Sequence, residues 1–104
     1  MNGQTPLVLP PGVGGLKPGE ARVVDVPDTF DSFLLVHDGT CLRAYRNACP
    51  HQGTPLENPL GRVIDDSGQY LVCSTHGARF RLSDGLCVAG PCQGRALTAV
   101  AIAP

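Results

Sequence analysis

Two short stretches decide how this chain is interpreted: ACPHQGTPL at residues 48–56 and YLVCSTHGARF at residues 70–80. Each stretch carries one cysteine and one histidine, spaced CxH in the first and CxxH in the second, with 21 residues between the two pairs. A thiolate and an imidazole from each of two loops can hold a metal, because each pair closes a small chelate from one turn. Iron and zinc both fit such a donor set. The predicted ligands are Cys49, His51, Cys73 and His76.

The composition indicates one small globular domain with a mostly aliphatic core. The 104 residues include 42% hydrophobic residues, but only three Phe, two Tyr and no Trp. The 13 Gly and 10 Pro favour turns over long helices. A formal charge of -1 with scattered Lys and Arg lacks the basic patch of a nucleic-acid-binding protein. We therefore expect no nucleic-acid partner.

Short β-branched and aliphatic segments predict an all-β chain. Residues 1–15 are rich in Gly and Pro and predict a flexible leader, which leaves 16–104 as the folded domain. The segment FLLVHDGTCLRAYR predicts a hairpin that turns at Asp38 and Gly39. No segment keeps a helical period of apolar residues. The other predicted strands are residues 21–26, 62–64, 70–72, 79–82 and 97–102.

Membrane and secreted classes fit the sequence poorly. The longest aliphatic or aromatic run, Phe33 to Val36, is far shorter than the roughly 20 residues that a spanning helix needs. No basic segment followed by an apolar stretch opens the chain. Five cysteines are an odd number, which argues against a secreted disulfide framework. We expect a soluble, cytoplasmic protein whose thiols are reduced.

The two quoted stretches resemble the cluster-binding loops of Rieske iron-sulfur proteins, in which CxH is followed by CxxHG and an aromatic residue. The SDG turn and the Gly90-Pro91 pair are similar to the family's return hairpin and proline loop. The resemblance implies a Rieske-like fold, a small antiparallel β-sandwich with a cluster-binding subdomain of two loops. It also implies a [2Fe-2S] cluster in which Cys49 and Cys73 bind one iron, and His51 and His76 the other.

The net charge of the cluster and the absence of two hydroxyl hydrogen-bond donors both affect the expected reduction potential. Two ferric ions, two sulfides and two thiolates sum to zero charge, so an added electron costs less than in an all-cysteine cluster. High-potential relatives carry Ser and Tyr hydroxyl donors where this chain has Ala78 and Phe80. They also join the two loops by a disulfide, where this chain has Thr54 and Thr75. We expect a midpoint below about 0 mV, the low end of the family range.

The resemblance implies a one-electron carrier and not an enzyme in its own right. The leading hypothesis is a Rieske-type ferredoxin that passes electrons from a flavin reductase to a terminal oxygenase, such as a ring-hydroxylating dioxygenase. Its partners would dock near the histidine-bound iron. Two alternatives remain open, namely a small Rieske subunit of a larger oxidoreductase such as nitrite reductase, and a structural zinc module with the same four ligands.

Several other residues near the motifs have expected roles. Ser74 replaces the proline that usually follows the second cysteine in the family, and Leu56 matches an apolar residue that shields the cluster there. His37 precedes a turn and is expected to be a strand or surface residue. The three remaining cysteines, Cys41, Cys87 and Cys92, are expected to have structural roles, with Cys41 a small core residue.

Overall fold

The computed structural model describes Leu7 and residues 15–26, 31–50, 53–59, 61–75 and 77–102. Over these residues the chain contains strands and turns but no helix, which confirms the predicted all-β class. No helix in the described part of the chain is long and apolar enough to cross a membrane. The strands are β1 (Ala21–Asp25), β2 (Ser32–His37), β3 (Leu42–Arg46), β4 (Tyr70–Val72), β5 (Arg79–Arg81), β6 (Cys87–Ala89) and β7 (Ala99–Val100).

The first sheet has the strand order β1-β2-β3-β7, and every pairing in it is antiparallel. One of its two interior strands, β2, is covered on both faces. Leu34 and Val36 pack into one buried cluster, while Phe33 and Leu35 point to the opposite face and pack into another. Successive side chains of a strand alternate between faces, so the unbroken apolar run of β2 supplies both clusters.

The second sheet has the order β4-β5-β6 and is also antiparallel. The register shifts between β5 and β6, where Phe80 lies opposite Cys87 but Arg79 lies opposite Ala89. Val88 is therefore the extra residue of a β-bulge, which bends β6. The bulge comes directly after Cys87 in the sequence. Cys87 is fully buried and belongs to the same apolar cluster as Phe80.

The second sheet belongs to a long insertion into the first. The chain leaves the first sheet at the end of β3 and returns in β7, which pairs with β3 through Ala44 and Val100. The backbone N–H of Arg46 donates to the Thr98 carbonyl at 2.9 Å, so the insertion begins and ends at neighbouring points. All of residues 47–98, including both predicted ligand loops, lie between these points.

Tyr45 ties the insertion to the first sheet. Its side chain is 1% exposed, and its hydroxyl donates to the Leu82 carbonyl at 2.8 Å. Burial raises the pKa of Tyr45 to about 12, so the hydroxyl keeps its proton at neutral pH. A Cβ added at Gly85 would lie 2.9 Å from the Tyr45 ring, so the backbone of the turn after β5 rests directly on this ring.

Most of the predicted strands are confirmed, but the strand predicted at residues 97–102 spans only Ala99–Val100, and there are two further differences. Residues 62–64 form only an isolated bridge, Ile64 with Leu71, because a turn at Asp66 to Gly68 begins almost at once. The strand β6 was not predicted, because Gly, Pro and Cys around it mask a three-residue strand. The bounds of the leader remain a prediction. Within it, Leu7 is buried and its N–H donates to the Ala101 carbonyl at 2.8 Å.

The expectation for Cys41 is wrong, since this residue is exposed. It occupies the turn between β2 and β3, where Asp38 Oδ1 accepts its backbone N–H at 2.9 Å. Asp38 also accepts a hydrogen bond from Arg43 Nε at 2.8 Å, which together with backbone donors holds the pKa of this carboxyl well below its usual range. His37 ends β2 as expected, and its Nδ1 accepts the N–H of Gly39 at 3.0 Å.

Candidate metal centre

The two cysteine turns share the same pair of backbone hydrogen bonds. In the first, the N–H of Cys49 donates to the Thr54 carbonyl at 2.8 Å, and the N–H of Gly53 donates back to the Cys49 carbonyl at 2.6 Å. In the second, Cys73 donates to Ala78 at 2.9 Å and Gly77 donates to Cys73 at 2.8 Å. Each turn therefore starts at a cysteine and closes through a glycine four residues later.

Those glycines are required by their backbone angles. Gly53 has φ +74° and Gly77 has φ +72°, in the left-handed region that residues with a Cβ rarely adopt. No described heavy atom would lie within 4 Å of a Cβ added at either position. A Cβ at either position would therefore be free of packing against the described residues.

Both cysteines are buried in a single apolar cluster. Cys49 is 3% exposed and Cys73 is fully buried. This group of buried apolar residues also contains Leu56, which confirms that Leu56 is buried beside the loops. Ala78 and Phe80 belong to it too, so the positions that carry hydroxyl donors in high-potential relatives are buried here without a hydroxyl.

Ser74 joins the two loops. Its backbone N–H donates to the Leu56 carbonyl at 3.0 Å, and its hydroxyl donates to the Glu57 carbonyl at 3.1 Å. A proline at this position could make neither bond, because it has no N–H and no hydroxyl. All five cysteines are free thiols in the structure, so these bonds connect the loops without a disulfide. The buried Oγ1 of Thr54 has no hydrogen-bond partner among the described residues.

Asn47 fixes the start of the first loop, a role that the sequence motifs did not predict. It is the one buried polar residue of the described part of the chain. Its Oδ1 accepts the N–H of Leu56 at 2.8 Å, and its Nδ2 donates to Glu57 Oε1 at 2.7 Å and to Ser32 Oγ at 3.1 Å. An asparagine at the end of a strand, immediately before the ligand motif, is the signal that could have indicated this role.

A third loop, residues 90–95, lies against both cysteine turns. A Cβ added at Gly90 would be 2.7 Å from Cα of Ala78, so this backbone touches the second turn. Arg95 Nη1 donates to the Pro50 carbonyl of the first turn at 3.3 Å. Between these contacts, Cys92 is buried beside Cys87, with 3.3 Å between the two sulfurs. The buried positions of Cys87 and Cys92 agree with their expected structural roles.

The described residues hold only the cysteine half of the predicted ligand set. His51 and His76 lie outside them, and no group of three metal-ligating side chains occurs among the residues that are described. The donor chemistry nevertheless fits an iron-sulfur cluster, because two buried thiols open two matched turns whose glycines face open space. The complete four-residue ligand set stays a prediction.

Comparison with known proteins gives a family and two structural neighbours. The family model for the Rieske [2Fe-2S] domain matches residues 12–103. The chain is similar to the ferredoxin of carbazole 1,9a-dioxygenase from Nocardioides aromaticivorans IC177, with 26% identity, a TM-score of 0.59, and coverage of 85% of this chain and 89% of that one. No curated protein sequence matches the chain.

The second neighbour shares the fold as part of a larger protein. It is the terminal oxygenase of carbazole 1,9a-dioxygenase from Novosphingobium sp. KA1, with 23% identity and a TM-score of 0.61. The match covers 81% of this chain but 23% of the oxygenase chain. At this identity the likeness shows the fold alone, and it adds a second example of the two-sheet architecture found here.

Proposed function

Because the chain belongs to the Rieske [2Fe-2S] domain family, we propose that it carries single electrons from a flavin reductase to a terminal oxygenase, such as a ring-hydroxylating dioxygenase. The observation that carries this proposal is the likeness to a dioxygenase ferredoxin over most of both chains. A carrier of this kind needs one domain that binds the cluster and one surface on which the reductase and then the oxygenase can dock.

The cofactor of this family is a Rieske-type [2Fe-2S] cluster, which takes up and releases one electron. We assign Cys49 and Cys73 to one iron, and His51 and His76 to the other. The matched turns support this assignment, because both cysteines make the same two backbone hydrogen bonds at the start of their turns. Their burial supports it further, since it excludes water from the thiolate side of the site.

The histidine side of the site is proposed as the docking surface for redox partners. Thr75 and Gly77, which stand on either side of His76 in the sequence, are exposed. Gly53 in the first loop is exposed too. The cysteines behind them are buried.

We also propose that the cluster has a low reduction potential. Ala78 and Phe80 are buried in the cluster of residues around both cysteines and have no hydroxyl to donate. A hydrogen bond to a charged acceptor contributes about 1.5 to 3 kcal/mol, of which only the difference between oxidised and reduced states changes the potential. We therefore expect a midpoint below about 0 mV; a voltammogram with a midpoint above about +150 mV would contradict it.

One set of measurements tests the proposal. Protein isolated without oxygen is expected to contain iron and acid-labile sulfide, and to give an electron paramagnetic resonance signal only after reduction. It is then mixed with a flavin reductase and a terminal oxygenase, and product formation is expected to require the chain. Zinc in place of iron would favour the structural zinc module. Copurification with a large catalytic subunit, without transfer to any oxygenase, would favour the subunit alternative.

A further inference from the structure

Two thiols outside the predicted ligand set lie side by side. Cys87 and Cys92 are 1% and 2% exposed, and 3.3 Å separates their sulfurs. The S–H of Cys92 donates to the sulfur of Cys87, so the two side chains point towards each other. Since the sulfurs of a disulfide are about 2.05 Å apart, these two atoms need to approach by only about 1.3 Å to form one.

The backbone holds the two thiols in this arrangement. The N–H of Cys87 donates to the Arg95 carbonyl at 2.7 Å, and the Cys87 carbonyl accepts the N–H of Gly94 at 3.2 Å. Within the third loop, the N–H of Arg95 donates to the Cys92 carbonyl at 2.9 Å. These bonds keep Cys92 beside Cys87 and engage neither sulfur. Two groups that are held together in this way react with each other much faster than two separate thiols.

The hydrogens that a disulfide would remove make only weak bonds. The S–H of Cys87 donates to the Ala89 carbonyl at 3.1 Å, and the S–H of Cys92 donates to the very sulfur with which it would be joined. A thiol is a weak donor, so the loss of these bonds costs less than the loss of an N–H bond. Oxidation of the pair therefore leaves the backbone hydrogen bonds around it intact.

The third loop gives a small oxidant access to one of the two thiols. The residues on either side of Cys92, Pro91 and Gln93, are exposed. Cys87 instead belongs to β6, where it lies opposite Phe80 in the sheet. Local opening of a surface loop requires less free energy than opening of a paired strand. Cys92 is therefore the thiol that meets the oxidant first.

We propose that Cys87 and Cys92 form a reversible disulfide that fastens the third loop, with a small-molecule disulfide such as glutathione disulfide as the oxidant. The Cys92 sulfur attacks one sulfur of the oxidant, whose S–S bond breaks, and one glutathione thiol leaves with the proton of Cys92. The Cys87 sulfur then attacks the mixed disulfide at Cys92, and the second glutathione thiol leaves with the proton of Cys87. The protein loses two electrons and two protons, and the oxidant gains them.

The fastened loop is the one that touches both cysteine turns. A Cβ added at Gly90 would lie 2.7 Å from Cα of Ala78 in the second turn. Arg95 Nη1 donates to the Pro50 carbonyl in the first. A disulfide across residues 87–92 restricts the opening of this loop, so the oxidised pair is expected to slow the loss of the cluster. That consequence rests on the proposed function, whereas formation of the disulfide does not.

Thiol labelling of the cluster-loaded full chain tests the inference. The protein is incubated with mixtures of reduced and oxidised glutathione, unfolded in the presence of excess maleimide, and cut with trypsin. Cleavage after Arg81 and Arg95 gives one peptide, residues 82–95, which contains Cys87 and Cys92 and no other cysteine. When oxidised glutathione is in excess, this peptide is expected to be lighter by two hydrogen atoms and to carry no label. Dithiothreitol is expected to restore both labels.

The exposed Cys41 provides the matched control. Cys41→Ser is expected to form the same disulfide within residues 82–95, and Cys87→Ser is expected to form none. Two labels on the wild-type peptide at every glutathione ratio would overturn the inference. So would a glutathione adduct on this peptide without an internal disulfide.

The rate at which visible absorption bleaches on heating tests the fastening of the loop. Oxidised wild-type protein is expected to bleach more slowly than reduced protein by roughly threefold or more, and Cys87→Ser is expected to show no difference between the two treatments. Equal rates in the wild type, with the disulfide present by mass, would overturn the fastening role. Iron and acid-labile sulfide are counted first. A wild-type protein without acid-labile sulfide would remove the proposed function, while the labelling result would still decide whether the disulfide forms.

Discussion

Two consecutive turns of the second sheet have the same backbone hydrogen bonds and different surroundings. In residues 73–78 the first residue donates to the sixth, and the fifth donates back to the first. Residues 81–86 repeat the pattern, with bonds from Arg81 to Leu86 at 3.0 Å and from Gly85 to Arg81 at 2.9 Å. The glycines also match, at φ +72° for Gly77 and +73° for Gly85.

What differs is the space beside the glycine. At Gly85 a Cβ would meet Tyr45 at 2.9 Å and Leu97 at 3.2 Å, whereas at Gly77 it would meet no described atom within 4 Å. The first residues also differ, a buried cysteine in one turn and an exposed arginine in the other. The turn is therefore a general way to close a hairpin. Its proposed use as a ligand loop depends on the cysteine that it carries and not on the turn itself.

The largest expected effect comes from the first residue of each turn. Cys73→Ala removes a predicted ligand, and we expect the protein to be isolated without colour, iron or acid-labile sulfide. Arg81→Ala changes the equivalent position of the other turn and is expected to retain the full cluster. Visible absorption and iron analysis measure both. A coloured Cys73→Ala protein with full iron content would contradict the ligand assignment.

The second largest effect is expected from substitution of the glycine in each turn, which lowers the stability of the protein. Gly77→Ala places a Cβ in the left-handed region, which costs about 1–2 kcal/mol. Gly85→Ala adds contact with the Tyr45 ring, and overpacking of a core costs about 1–3 kcal/mol more. We expect Gly85→Ala to lower the unfolding temperature further than Gly77→Ala, measured by circular dichroism on cluster-loaded protein. The reverse order would mean that the Gly77 side of the turn is the more tightly packed.

The bonds made by Ser74 predict a smaller effect, on how firmly the second turn is held to the first. Ser74→Ala removes the hydroxyl bond to Glu57 and is expected to cost about 1 kcal/mol. Ser74→Pro also removes the N–H bond to Leu56 and is expected to cost about twice as much. The rate at which absorption bleaches on heating measures both. Equal bleaching of Ser74→Pro and wild type would show that these bonds do not hold the loops.

The smallest of the expected effects is a loss of stability at low pH in the turn at residues 81–86. A hydrogen bond from Arg81 and one from the Leu86 N–H lower the pKa of Asp84 to about 2, from 3.8. The folded pKa is the lower one, so the contribution is full above about pH 4 and is lost as the pH falls towards 2. The contribution is small because the Arg81–Asp84 pair is half-exposed and screened by solvent.

The difference in unfolding temperature between wild type and Asp84→Asn measures this contribution. We expect the difference to be constant between pH 6 and 5 and to shrink at pH 3. Arg81 and Asp84 have no counterpart in the cysteine turns, whose first residue is Cys and whose fourth is Gln52 or His76. A difference that grows as the pH falls would contradict the assignment.

The sequence predicted the features that depend on local chemistry. The apolar run of β2 and the Asp38-Gly39 turn identify the first hairpin, because a strand and a tight turn are specified by neighbouring residues. The CxH and CxxH motifs predicted the two loops, and the structure shows that both cysteines open matched turns. The family match then confirms the Rieske assignment made from the same residues.

Features that depend on distant contacts were not predicted. The role of Asn47 depends on Ser32, Leu56 and Glu57, which the sequence places 9 to 15 residues away. The two bonds of Ser74 to the first loop could not be foreseen for the same reason. Cys41 was misjudged because its apolar neighbours suggested a strand, while the Asp38 carboxylate holds it in an exposed turn.

The adjacency of β3 and β7 has a consequence for how such a domain can be reused. Since residues 47–98 leave and re-enter the first sheet on paired strands, the whole redox unit has its two ends side by side. The unit does not stand apart from the first sheet, however, because Leu34, Val36 and Tyr45 belong to the same buried cluster as Cys49 and Cys73. A copy moved to another β protein would therefore need a host sheet that supplies the same apolar face.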